Sequence, residues 1–131
     1  MDFLAVIVTA VVGFAIGALW YGVFSRAWVA ASGVPTDDKG APRDSANPVT
    51  YLGAYLCILL VVGMMRHIFT MSAVVSVNDG VVAGLGIGLF LIAPWIALNI
   101  FFSQRPKVLI LIDGGYAAIA CAIMGGVLVL F

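Results

Sequence analysis

The chain has 131 residues, of which 64% are hydrophobic and 9% charged, with a mean hydropathy of +1.21. A soluble domain of this length would leave most of those side chains in water, so that class is excluded. Six basic residues balance six acidic ones, every acid an Asp, and the zero formal charge removes the basic field that nucleic acid requires.

Four apolar stretches, about 3–24, 49–70, 80–102 and 107–131, account for most of the chain. A hydrocarbon core about 30 Å thick takes roughly 20 helical residues, and inside it only a helix satisfies its own backbone hydrogen bonds. The expected fold is therefore all-α, one domain over residues 1–131: an integral membrane bundle of four transmembrane helices.

The first stretch follows Met1-Asp2 without a positively charged leader region. It runs into Trp20, Tyr21 and Gly22 rather than a small-residue cleavage site, so it is expected to remain as helix one. Residues 25–47 form a polar connection rich in Gly, Pro and Asp, long enough to have structure of its own. Asn47-Pro48 places a capping residue before a proline at the first helical position of helix two. Asn78-Asp79 is expected to cap helix three, and Pro106 to open helix four. Pro94 lacks an amide donor and its ring obstructs the carbonyl of Phe90, which predicts a kink in helix three.

In lipid, helices associate by close packing, and small residues recur here at four-residue spacing. Gly13 and Gly17 mark helix one; Gly80, Gly84 and Gly88 mark helix three; Gly114, Ala118, Ala122 and Gly126 form a stripe on helix four. These stripes predict tight contact, either within the bundle or with a partner. Cys57 and Cys121 fall about 8 and 14 residues into their helices, so their depths differ by roughly 9 Å. That difference argues for packing thiols rather than a disulfide.

Arg26, Lys39 and Arg43 lie in the first connection, Arg105 and Lys107 in the third, and only Arg66 lies near the other end. The positive-inside rule then puts both termini on the non-cytoplasmic side of a bacterial cytoplasmic membrane. Arg66 is expected to extend its guanidinium toward the outer headgroups.

One charged residue falls well inside a predicted span. Asp113 lies six residues beyond Lys107, roughly 9 Å into helix four. A carboxylate at that depth must be paired, hydrated or neutral, so it should face protein or water. Asn99, Arg105, Arg26, Tyr51, Tyr55, Tyr116, Trp20 and Tyr21 fall at a similar level and predict a polar cluster with Asp113 at the cytoplasmic end. Two roles are open to it: a hydrogen-bond or ion-pair knot that fixes helix register, or a proton or solute site.

His67 is the one histidine. A single imidazole does not make a metal site, and the choice is between an interfacial residue beside Arg66 and, with Gly63 four residues earlier, an axial ligand to a tetrapyrrole. No nucleophile and base pair, paired carboxylates, Cys cluster or phosphate loop is present. Gly84-Leu85-Gly86 and Gly114-Gly115 follow no strand and are packing glycines rather than a nucleotide fingerprint. Neither an enzyme nor a cofactor is expected.

The run Leu19-Trp20-Tyr21-Gly22-Val23-Phe24 with Trp28, the closing Phe101-Phe102-Ser103-Gln104-Arg105, and Ile112-Asp113-Gly114-Gly115-Tyr116 together resemble a bacterial family catalogued as domain of unknown function 1761. The resemblance spans nearly the whole chain. It implies a small four-helix bacterial membrane protein, assigns no mechanism, and directs attention to Trp20, Tyr21, Asp113 and Tyr116.

The function expected first is that of an accessory or assembly subunit packing against a larger inner-membrane complex, an energy-transducing one included. Its partners are then the lipid bilayer and other membrane subunits or a second copy of itself. A small dimeric transporter or channel is the alternative. A lipid- or pigment-binding module using Trp28, Trp95 and the tyrosines is the third reading.

Overall fold

The computed structural model describes residues 3–131 of the chain; Met1 and Asp2, which bear on the expectation for the leader region, lie outside them. The main helices are α1 (Phe3–Val23), α2 (Ser25–Ser32), α3 (Pro48–Met71), α4 (Val77–Ile87), α5 (Ala93–Phe102) and α6 (Val108–Leu128). A π-helical turn, Gly88–Ile92, joins α4 to α5. Among the described residues four spans are long and apolar enough to cross a membrane: Phe3–Val23, Pro48–Met71, Val77–Phe102 and Val108–Leu128. The protein is a multi-pass membrane bundle, as the hydropathy predicts.

The helix ends explain themselves locally. Asn47 accepts the Val49 amide with its side-chain oxygen at 3.0 Å and Pro48 opens α3, as expected. The third span begins earlier than predicted, at Val77 rather than Gly80. Its cap is Ser76 rather than Asn78-Asp79: the Ser76 hydroxyl accepts the Asp79 amide at 3.0 Å and donates to the Asp79 carboxylate at 2.7 Å. Asp79 thus stands at the acid position of a capping box, bonded to the hydroxyl of the cap, and its charge is favoured by the positive end of the helix. α6 begins at Val108, two residues past Pro106, whose carbonyl accepts the Leu109 amide.

Before Pro94 the helix widens instead of simply breaking. The turn Gly88–Ile92 shifts to π pairing, and the Ala93 amide reaches back five residues to the Gly88 carbonyl. One extra residue in the turn absorbs the bond that Pro94 lacks.

The first connection has structure of its own. α2 continues from α1 after a break at Phe24 and ends at Gly33, whose φ of 67° is the left-handed conformation a helix stop favours. Residues 36–42 then fold back on themselves: Thr36 pairs with Pro42, and the Asp37 carboxylate accepts the amides of Lys39 and Ala41. A short 3-10 turn, Arg43–Ala46, leads into α3.

α6 is the hub. Half of its apolar window is buried, against 11% for α3 and 11% for Val77–Phe102. α4 lies closest to it. A Cβ added at Gly84 would overlap the Cys121 carbonyl oxygen, and one at Gly80 or Gly88 would meet the carbonyl of Gly125 or Ala117. The predicted glycine stripe of the third span is therefore the tightest seam in the molecule.

Its counterpart on α6 is shifted from the predicted stripe. Gly114 faces Ala93 and Gly126 faces Val81, while Ala118 is buried against Gly88, but Cys121 and Gly125 make the backbone contacts and Ala122 is only half-buried. Strict four-residue spacing drifts around a helix of 3.6 residues per turn, so a straight seam alternates steps of three and four. Gly13 and Gly17 also differ from expectation. They admit side chains, the Met124 thioether and the Tyr116 hydroxyl, rather than a second backbone.

At the end away from the connection, Arg66 donates to the Leu128 carbonyl at 2.9 Å. The guanidinium therefore caps the negative end of α6 instead of extending to headgroups, a pairing that the helix dipole favours. His67 is exposed on α3.

Candidate functional site: a polar clamp at the end of a lateral cavity

Three hydrogen bonds clamp α1 onto the antiparallel α6. Tyr21 donates its hydroxyl to Asp113 Oδ1 at 2.6 Å, the Trp20 indole donates to the Ile112 carbonyl at 2.8 Å, and Tyr116 donates back to the Gly13 carbonyl at 2.8 Å. Glycines make the fit possible. A Cβ at Gly115 would lie 2.9 Å from the Trp20 ring, and one at Gly17 would lie 2.8 Å from the Tyr116 hydroxyl. The Tyr21 and Tyr116 rings meet edge to face at 5.5 Å, and Trp28 of α2 closes on Tyr21 at 5.9 Å.

Trp20, Tyr21, Asp113 and Tyr116 are thus brought together as predicted. Asp113 is the sixth residue of α6 and half-buried, and its short bond to the Tyr21 phenol supplies the partner that its depth demands. Asn99 and Arg105 reach the same region by lining the cavity described below. The other predicted members do not join. Tyr51 donates to the Ser45 carbonyl and Tyr55 to the Ile7 carbonyl, and both set their ring edges against Phe14 in the α1 and α3 seam. Arg26 lies by the folded connection, beside Lys39 and Pro42.

The clamp forms one end of a cavity of about 560 Å³. α3 packs on α1, α5 packs on α6, and between α3 and α5 a cleft remains. Cys57, Ile58 and Val61 form its α3 wall, and Ile92, Ile96 and Ile100 form the opposite wall. Ala117, Ala120, Cys121 and Met124 make its floor on α6. The polar side chains gather where the cleft meets Tyr21, Trp28, Asn99, Arg105 and Asp113.

Two participants, Cys57 and Cys121, escaped the sequence: both read as packing thiols, yet they line the cavity together with Trp28; both thiols are free. Only Trp28 carried a signal, its place in the aromatic run that begins at Trp20. Trp95, by contrast, is 67% exposed on the outer side of α5.

Comparison with curated proteins and with solved structures gives no match. The family model described as "Protein of unknown function (DUF1761)" matches residues 4–129, which include every side chain of the clamp and cavity. By that match, over nearly its whole length, the chain belongs to the DUF1761 family.

Proposed function

We propose that the protein is a non-catalytic accessory or assembly subunit of a bacterial cytoplasmic membrane, packing its outer helices against those of a larger assembly. Both termini face away from the cytoplasm, and the connection between α1 and α3 faces it, because Arg26, Lys39, Arg43, Arg105 and Lys107 lie at that end. The single observation that carries the subunit reading is the set of glycines on the outside. At Gly53 and Gly63 on α3 and at Gly86 on α4, a Cβ would meet nothing within 4 Å.

Lipid gives no reason for glycine on an outward face, where it costs helix stability, about 0.5 to 1 kcal/mol relative to alanine. A foreign helix does, because small residues let backbones approach closely. The slight burial of α3 and of Val77–Phe102 leaves both available for such contact. The chain's single histidine and lack of glutamate leave little for catalysis.

Purification in mild detergent followed by native mass spectrometry tests the proposal. Stoichiometric co-purification with a larger membrane complex supports it, and Gly63→Leu and Gly86→Leu should weaken that association while the isolated chain stays folded. A lone species at the chain mass of 13.7 kDa overturns it. A homodimer favours instead the transporter reading, in which Asp113 would serve a path between copies.

A further inference from the structure

We infer that the cleft between α3 and α5 is a phospholipid site, in which one acyl chain lies along the apolar walls and the phosphate rests on Arg105. The two ends of the cavity argue separately for the two parts of that ligand. Along its length Ile58, Val61, Ile96 and Met124 offer water no partners, and a void of about 560 Å³ is of ligand size. Left unfilled it would forfeit dispersion contacts on every wall, and the neighbouring solvent is hydrocarbon chain.

At the connection end the chemistry changes sign. Asp113, the acid of the cavity, is taken by Tyr21 at 2.6 Å. Among the described residues no carboxylate pairs with the Arg105 guanidinium, which lines the same cavity as the Asn99 amide, both at exposed positions. Asp113 thus has its donor in Tyr21, and Arg105 is the cation of the cavity lining without an ion-pair partner. Arg105 sits just past the end of α5, at the level where headgroups begin, and Lys107 adds a second cation two residues on.

A planar guanidinium holds phosphate through two parallel hydrogen bonds, and basic pockets between membrane helices suit anionic headgroups. A tail in the cleft and a phosphate at Arg105 is also how a lipid of the adjoining leaflet already stands. A neutral amphiphile would fill the cleft and leave the guanidinium unpaired. This site does not depend on whether a foreign helix covers the outer glycines.

The test titrates dioleoyl phosphatidylglycerol into detergent micelles holding the full chain and counts bound lipid by native mass spectrometry. One phospholipid per chain is expected. Dioleoylglycerol should bind at least about tenfold more weakly, and inorganic phosphate should not compete. Arg105→Gln should lower affinity about tenfold, with Arg105→Lys recovering part of it. Cys57→Phe, entering the cavity from an exposed position on α3, should reduce occupancy whatever the headgroup, and Lys107→Gln should leave most of the binding. Wild-type binding by both Arg105→Gln and Cys57→Phe would overturn the site, as would equal binding of the two lipids or displacement by free phosphate. Should one of those two variants fail to fold, the other decides.

Discussion

Removing one oxygen from Tyr21 should loosen the whole first helix. Its hydroxyl is what holds the Asp113 carboxylate, so Tyr21→Phe leaves an acid at membrane depth without that partner. We expect a loss of about 1 to 2 kcal/mol, between the usual worth of a bond to a charged group and the smaller values found in membranes. Denaturation in mixed micelles measures it. Asp113→Asn keeps an oxygen for Tyr21 and should fold, whereas Asp113→Leu strands the hydroxyl and should lower the yield of folded protein. Altered ion flux from a fully folded Asp113→Asn protein would instead favour a transport role for the acid. Thr9 supplies the opposite case. Its hydroxyl is fully buried and finds no hydrogen-bond partner among the described residues, so Thr9→Val should cost nothing and raise stability by up to about 1 kcal/mol in the same assay.

At this scale the sequence is partly legible. The depth of Asp113 can be counted from Lys107, and a carboxylate there demands company, which brought Trp20, Tyr21 and Tyr116 into view. Which phenol answers it is not countable, since Tyr21 and Asp113 are 92 residues apart and Tyr51 and Tyr55 lie at comparable depth on another helix. Only the rotation of α1 against α6 decides between them.

Among elements, the seam between α4 and α6 sets the sharpest contrast. Gly84 and Gly86 are two residues apart on one helix, but a Cβ at the first would overlap the Cys121 carbonyl and one at the second would meet nothing within 4 Å. Gly84→Ala should therefore destabilise by about 1 to 3 kcal/mol, because backbone must move. Gly86→Ala should be neutral or stabilising by up to about 1 kcal/mol. Thermal unfolding of the two purified variants in detergent compares them directly. The glycine periodicity of α4 was visible in the sequence, and so was its tight packing. Its partner face was not, because Cys121 breaks the run of small residues and Gly125 sits beside the equally plausible Gly126.

The π turn was half-visible for a similar reason. Pro94 announces a disturbed helix, but nothing in the apolar run Gly88–Ile92 says whether the helix will bend or take up an extra residue. The start of α4 carries its own signal. Ser76 and Asp79 have capping-box spacing, whereas a boundary at Gly80 with Asn78-Asp79 as its cap passes over Ser76.

For the molecule as a whole, hydrocarbon is the solvent that makes the sequence intelligible. It sets the length of the four spans, forbids strand edges among them, and turns one embedded carboxylate into a demand for a partner. A cavity is not written in a sequence in this way, because emptiness depends on how α3 leans on α1 and α5 on α6. Topology is the consequence that reaches furthest. Four crossings put the connection of residues 25–47 and the turn of residues 103–107 on one face, with the turn of residues 72–76 and the end of α6 on the other.

Single cysteines introduced at Lys39, Lys107, Ser76 and Leu130, in a chain carrying Cys57→Ser and Cys121→Ala, test that arrangement with a thiol reagent that does not cross membranes. In intact cells Ser76→Cys and Leu130→Cys should be labelled from outside, and Lys39→Cys and Lys107→Cys only after the membrane is opened. Labelling of all four positions from the same side would contradict the four-span bundle and every inference built on it.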